Sequence, residues 1–294
     1  MNIPTKKLKS GFELPVYGMG LWEVGGRWEA DESKDNTEVT AIQAAIELGV
    51  THFDTAESYG DGHAEELLGQ AIKKYDRSKL IIATKVSAPN QTYDGLRRSF
   101  EASLKRLETG YVDLYLLHRY PEPGIPIADT MRALDELVEQ GVVKNIGVCN
   151  MTPSRFSEAQ KHTKNKLVCN QVHYNVQCRE IEKTGVLKQC QENDVMLVAW
   201  RPLQKGVLLN SPLLDELAKK YSKSPAQIAI NWLISQNNVV TLSKTSNVEH
   251  LKENLGAVGW ALSAEDIERI RSEFPDQQEV SDAVPLSYEA DIEP

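Results

Sequence analysis

Eight short runs of β-branched and other apolar residues recur along the chain, at 16–20, 50–54, 80–85, 112–117, 143–148, 167–171, 195–199 and 239–242. Most are nearly continuous in apolar character, the pattern of strands buried on both faces of a parallel sheet. Between them the spacing changes to the three-and-four rhythm of helices, as at 40–48, 64–74, 96–107, 130–140 and 213–221. Helix starts carry their own signals. Thr152-Pro153 and Ser224-Pro225 pair an N-cap side chain with a proline whose missing N–H costs nothing in a first turn, and Ser263-Ala264-Glu265-Asp266 resembles a capping box. Strands alternating with helices at intervals of about 30 residues predict an α/β protein, a single (β/α)8 TIM barrel occupying residues 1–294.

The two ends depart from that rhythm. Segments 6–9 and 12–14 flank Ser10-Gly11, a turn-prone pair, and predict an N-terminal β-hairpin able to plug one end of the barrel. The tail, 274–294, is polar, acidic and proline-containing, and is expected to run as a short extended segment over the surface.

Composition narrows the function classes. The chain is 41% hydrophobic and 26% charged, an ordinary globular balance, and its formal charge of -9 disfavours nucleic acid and anionic membrane surfaces as partners. No run approaches the roughly 18 apolar residues of a membrane span, and the first fifteen positions hold no apolar core of signal-peptide kind. Cys149, Cys169, Cys178 and Cys190 form no C-x-x-C pair and read as reduced, buried residues. These absences together lead to the expectation of a cytoplasmic protein.

Several motifs fail. Gly18-Met19-Gly20 and Gly60-Asp61-Gly62 would need a third glycine where Glu23 and Glu65 stand, so neither is a dinucleotide-binding turn. No nucleophile elbow or P-loop is present. His52 and Asp54 share one side of a strand, but no second closely spaced pair joins them, or His63, His118 and His173, in a metal site, and none is expected.

One constellation does hold together. Asp54, Lys85 and His118 each stand at the C-terminal end of an apolar run, and Tyr59 follows in the loop beyond the first of them. In a parallel barrel those ends converge on one mouth, where the chemistry is placed. Reduction of a carbonyl by hydride needs a proton donor at the oxygen as negative charge develops. A tyrosine of pKa about 10 is a reluctant acid, but a neighbouring ammonium stabilises its anion. Lys85 can supply that charge, Asp54 can hold Lys85, and His118 can orient the carbonyl.

With these residues in place, the chain resembles the aldo-keto reductase superfamily almost end to end. FDTAESYG, ATK, VDLYLLH, GVVKNIGVCN, NQVHYN and SKTSNVEHLKEN stand in that family's order and spacing. The resemblance implies an NADPH-dependent barrel in which Tyr59 donates the proton, Lys85 and Asp54 tune it, and His118 orients the substrate. It further implies that Asn150 and Gln171 hold the nicotinamide carboxamide. Trp200, in Trp200-Arg201-Pro202-Leu203, stands where the family commonly has a tyrosine stacked on the nicotinamide. Pro202 and Leu203 continue that cofactor-binding segment. Lys244 and Thr245 match the binders of the 2′-phosphate, at the start of a helix, and Glu253 and Asn254 match adenine contacts.

Three positions depart from the family pattern. His250 replaces an arginine that commonly stacks on adenine and helps clamp the 2′-phosphate, so NADH use is also open. Cys149 replaces a serine near the carboxamide, and Arg119 replaces the aromatic residue after the histidine. Trp22, Trp28 and Tyr120 are candidates for an apolar wall of the substrate pocket. The expected partner is a small-molecule aldehyde or ketone. A cofactor-binding barrel used for redox sensing, with little turnover, is the alternative from another class.

Overall fold

The structure is a computed structural model that describes residues 2–286. Strands β1 (Thr5–Lys7) and β2 (Glu13–Pro15) form the antiparallel hairpin, with Thr5 opposite Pro15 and Lys7 opposite Glu13. Its turn depends on Gly11 at φ +97°, a conformation that L side chains rarely adopt.

The eight predicted runs become β3 (Tyr17–Gly20), β4 (His52–Asp54), β5 (Ile81–Val86), β6 (Val112–Leu117), β7 (Val143–Cys149), β8 (Leu167–His173), β9 (Met196–Trp200) and β10 (Val239–Ser243). They pair in parallel, in chain order, and β10 closes onto β3. Buried strands need apolar side chains on both faces, which is why their limits lie so close to the runs visible in the sequence.

Helix limits were less legible. Helices occupy Asp35–Glu47, His63–Ile72, Tyr93–Arg106, Ile127–Glu139 and Pro212–Tyr221, and all five begin upstream of the expected starts. Caps set two of those starts: the Thr92 side chain accepts from the Gly95 amide and the Ser211 side chain from the Leu214 amide. Thr152 and Ser224 cap Pro153–Lys161 and Pro225–Ile234 as predicted. The reciprocal capping box lies at Ser224, where the Gln227 side chain bonds back to the cap amide. Ser263 is only half of one. It accepts from the Asp266 amide, while its own amide donates to the Tyr221 hydroxyl and the Asp266 carboxylate is engaged by Lys220.

Two apolar layers hold the barrel. One lies between strands and helices, and the other fills the barrel with Ala83, Leu114, Leu116, Val198 and Leu242. Leu8 and Leu14 of the hairpin belong to the inner layer, so the hairpin is the floor of the barrel. Fully burying a leucine contributes about 1.5–3 kcal/mol. Polar bonds fasten the floor: Lys6 Nζ donates to the carbonyls of Gln236 and Val239, and the Asp194 carboxylate accepts from the amides of Lys9 and Ser10.

The tail after helix Ala264–Glu273 follows the surface without further helix as far as Leu286. It makes one bridge, Gln278 to Cys178, and the buried Glu180 carboxylate accepts from the amides of Ser281 and Leu286. The rest of the predicted tail lies outside the described residues. All four cysteines are buried and free. Among the described residues no helix is long and apolar enough to cross a membrane.

Candidate active site

The parallel register brings Asp54, Lys85 and His118 to one mouth: Asp54 closes β4, Lys85 is the penultimate residue of β5 and His118 follows β6. Tyr59 opens a 3-10 turn, Tyr59–Gly62, five residues after Asp54. That turn needs Gly60 at φ +57°, packed so closely that an added Cβ would lie 2.3 Å from the Gly25 carbonyl oxygen.

Lys85 is the hub. Its buried Nζ donates to Asp54 Oδ2 at 2.6 Å, to the Thr55 carbonyl at 2.8 Å and to the Tyr59 hydroxyl oxygen at 3.0 Å. Those three acceptors use all the donors an ammonium has, and the Tyr59 O–H remains free to donate to a further acceptor. The second Asp54 oxygen accepts from Gln171 Nε2 at 2.8 Å. The His118 ring stands edge-on to Tyr59, with centroids 5.6 Å apart.

Electrostatics fix the protonation states. Burial opposes the charge on Lys85, yet the Asp54 carboxylate and the Tyr59 oxygen hold its pKa above the ordinary value. Burial pushes Tyr59 up to about 12, against the pull of the Lys85 charge. Lys85 therefore eases ionisation of the phenol without overcoming burial, and the phenol keeps its proton at neutral pH. Burial, Lys85 and Arg119 all drive His118 well below the usual imidazole range, so it meets a substrate as a neutral ring.

A second group of predicted residues adjoins the tetrad. Asn150 has φ +55°, a left-handed conformation that asparagine tolerates better than most. Its side chain donates to the His118 carbonyl at 3.3 Å and accepts from Trp200 Nε1 at 3.3 Å. His173 covers one face of Trp200, with centroids 4.5 Å apart and planes 14° apart. His173 is in turn hydrogen-bonded to Gln204 and to Ser281 of the tail. The strand period of two sets Gln171 and His173 on one side of β8, but no local pattern in the sequence pairs His173 with Trp200. Pro202 is buried, and Leu203 is half-buried behind it. Cys149 is buried among the inner core residues, and burial raises its pKa, so it is a neutral thiol.

Lys244 is exposed and Thr245 half-buried, but the helix they were expected to start begins at Val248. Thr245 Oγ1 accepts from the Asn247 amide, and Asn247 caps the amide of Glu249, which shifts the helix start three residues on. His250 and Glu253 are exposed on Val248–Leu255, whereas Asn254 is buried and donates to Ser243 Oγ at 3.3 Å. Of the three wall candidates, Trp22 stands edge-on to Tyr59 at 5.0 Å and to Trp28 at 4.8 Å, and Trp28 is 63% exposed. Tyr120 is tied to Glu158 at 2.7 Å and covered by the Arg155 guanidinium. Among the described residues no group of three His, Cys, Asp or Glu side chains is placed to hold a metal ion.

A family model, the Aldo/keto reductase family, matches residues 17–273. The chain belongs to that family. It is thereby an oxidoreductase of the NAD(P)H-dependent aldo-keto reductase kind. Glyoxal reductase of Bacillus subtilis (strain 168) is 35% identical over 269 residues, covering 90% of this chain and 91% of the relative. The thermostable aldo-keto reductase Tm1743, solved with the inhibitor epalrestat, superposes with a TM-score of 0.88 at 42% identity, covering 92% of this chain and 99% of that one. An aldo-keto reductase from Klebsiella pneumoniae solved with NADPH gives a TM-score of 0.85 at 30% identity, with coverage of 95% and 98%.

The residues present fit a nicotinamide cofactor. Trp200 has one face backed by His173, its indole N–H donates to the Asn150 side chain, and Gln171 stands opposite Cys149 on the adjoining strand and bonds to Asp54.

Proposed function

We propose that this aldo-keto reductase, working through a single barrel domain, reduces an aldehyde or ketone to an alcohol with NADPH. The observation that carries the reading is the Lys85 ammonium, in contact with both Asp54 and the Tyr59 oxygen. When bound, NADPH supplies the hydride to the carbonyl carbon.

This chain's side chains do the rest. Tyr59 transfers its proton to the carbonyl oxygen as charge develops there, and Lys85 stabilises the phenolate left behind. Asp54 keeps Lys85 charged and in place, itself oriented by Gln171. Neutral His118 donates a hydrogen bond that aims the oxygen at Tyr59. Asn150 and Gln171 bind the carboxamide, and Trp200 stacks on the ring. Lys244 and Thr245 would hold the 2′-phosphate, and His250, Glu253 and Asn254 would hold the adenosine. Trp22 and Trp28 wall the carbonyl pocket. A small aldehyde such as glyoxal is a suitable first substrate, supported by the name of the Bacillus relative.

The test is NADPH oxidation with wild type and Tyr59→Phe, alongside cofactor titration. Phenylalanine deletes only the hydroxyl, so cofactor affinity and fold should persist while turnover falls about 100-fold or more. Near wild-type turnover in Tyr59→Phe overturns the proton-donor assignment. Cofactor binding without turnover on any aldehyde or ketone favours the sensing alternative.

A further inference from the structure

The wall bearing Trp22 and Trp28 has a support that the reduction chemistry leaves unexplained. Gly25 lies between the two tryptophans in the chain; its amide donates to the buried Glu38 carboxylate at 2.6 Å and its carbonyl accepts from Asp31. A Cβ at Gly25 would lie 2.8 Å from His63 Cδ2, so this backbone rests on the edge of the imidazole. The Gly60 amide, next to Tyr59, donates to the Arg27 carbonyl at 3.2 Å. The wall, the Tyr59 turn and His63 are thus one packed unit.

His63 is clamped from both sides. Its Nδ1 is 2.8 Å from Glu66 Oε2 and its Nε2 is 3.0 Å from Asp35 Oδ1, with the side chain 12% exposed. An ionised carboxylate only accepts, and a neutral imidazole donates from one nitrogen, so satisfying both contacts requires the imidazolium. Burial opposes that charge, and the bonds to Glu66 and Asp35 outweigh it and raise the pKa above the ordinary value. The other charged groups nearby have their own positions. Glu38 faces Gly25, Glu65 is bound to Arg106 and Thr84, Arg106 packs on Gly62, and Asp61 precedes in the turn.

We propose that His63, as the imidazolium bridging Asp35 and Glu66, is a positioning residue for the Trp22–Trp28 wall and makes substrate KM pH-dependent. The proposal rests on the reductase reading of the site. With a raised folded-state pKa the clamp is complete below the ordinary imidazole value of about 6.5 and is lost as pH rises through the folded value. One carboxylate then faces a lone pair, the bridge opens, and the loop over Gly25 loosens.

The experiment follows KM and kcat for an aromatic aldehyde from acid to mildly alkaline pH, with the His63 ring titrated by NMR. Wild-type KM should rise by about 2- to 10-fold, the scale of one net hydrogen bond, through the same pH at which His63 titrates, at nearly constant kcat. His63→Gln should show a flat KM. Glu66→Gln, altered at a side chain 56% exposed and remote from the chemistry, should move the inflection to lower pH. Parallel KM profiles for wild type and His63→Gln, or an unmoved inflection in Glu66→Gln, overturn the proposal.

Tryptophan quenching by acrylamide, taken as wild type minus Trp28→Phe without cofactor, gives a readout independent of turnover. An inactive protein whose quenching tracks the His63 titration sinks the reductase reading alone. An active one whose quenching ignores that titration sinks the clamp alone.

Discussion

Replacing Lys85 by methionine removes the hub of the site while keeping its length and apolar stem. Asp54 would keep its bond from Gln171 but lose the ammonium 2.6 Å away, in surroundings where the lysine side chain is 0% and the aspartate 4% exposed. Removing one partner of a buried ion pair costs about 3–5 kcal/mol, because the other charge is left without compensation. Asp54→Asn in the same chain should recover most of that loss, since no isolated charge remains. The three variants and wild type make a thermodynamic cycle, read from urea transitions followed by far-UV circular dichroism. Turnover should collapse in Lys85→Met and stay low in the double variant, because neither restores a cation beside Tyr59. A Lys85→Met protein within about 1 kcal/mol of wild type, or a double variant no more stable than Lys85→Met, refutes the buried-pair argument. An unchanged pH–rate profile in Lys85→Met refutes the coupling of Lys85 to the phenol.

Three further outcomes follow from the same geometry. With Tyr59 pushed up to about 12, Lys85 held above its usual range and His118 held well below its own, none of the three titrates near neutrality, so kcat should be level from about pH 6.5 to 9; a bell-shaped kcat centred near pH 7 contradicts this. A charge-assisted hydrogen bond is worth about 1.5–3 kcal/mol, so His250→Arg should tighten NADPH roughly 10- to 100-fold and leave NADH nearly unchanged, while Lys244→Ala narrows the gap between the cofactors; fluorescence titration of both cofactors decides it. Gly60→Ala places a methyl 2.3 Å from the Gly25 carbonyl oxygen and should displace the Tyr59 turn, lowering both the melting temperature and turnover; unaltered values for both would mean the turn yields at no cost.

What the sequence made legible follows from which interactions are local. Strand limits were readable because every residue of β6 is buried and four of its six are aliphatic. The tetrad was readable because strand ends are also where the chain leaves apolar character, so Asp54, Lys85 and His118 stand out against Phe53, Ala83 and Leu117. The surroundings of Tyr120 were not legible because they depend on Glu158 and Arg155 of a later helix, contacts that no periodicity encodes. His173 and Ser281 were missed for the same reason, being 108 residues apart in the chain. The helix after Lys244 starts late because Asn247, two residues beyond Thr245, caps it with its side chain.

The hairpin floor gives the chain a problem of timing. Lys6 finds its carbonyl acceptor 230 residues downstream, and β3 has no partner on one side until β10 exists. At about 5–20 residues per second, a nascent chain spends roughly 10–50 seconds with Leu8 and Leu14 uncovered and one strand edge open to pairing with other molecules. The barrel can be sealed only once β10 has been made, by the segment that also brings Lys244 to the mouth. Floor and rim are therefore completed together by one segment, and a chain truncated before β10 would offer chaperones and proteases the same exposed leucines.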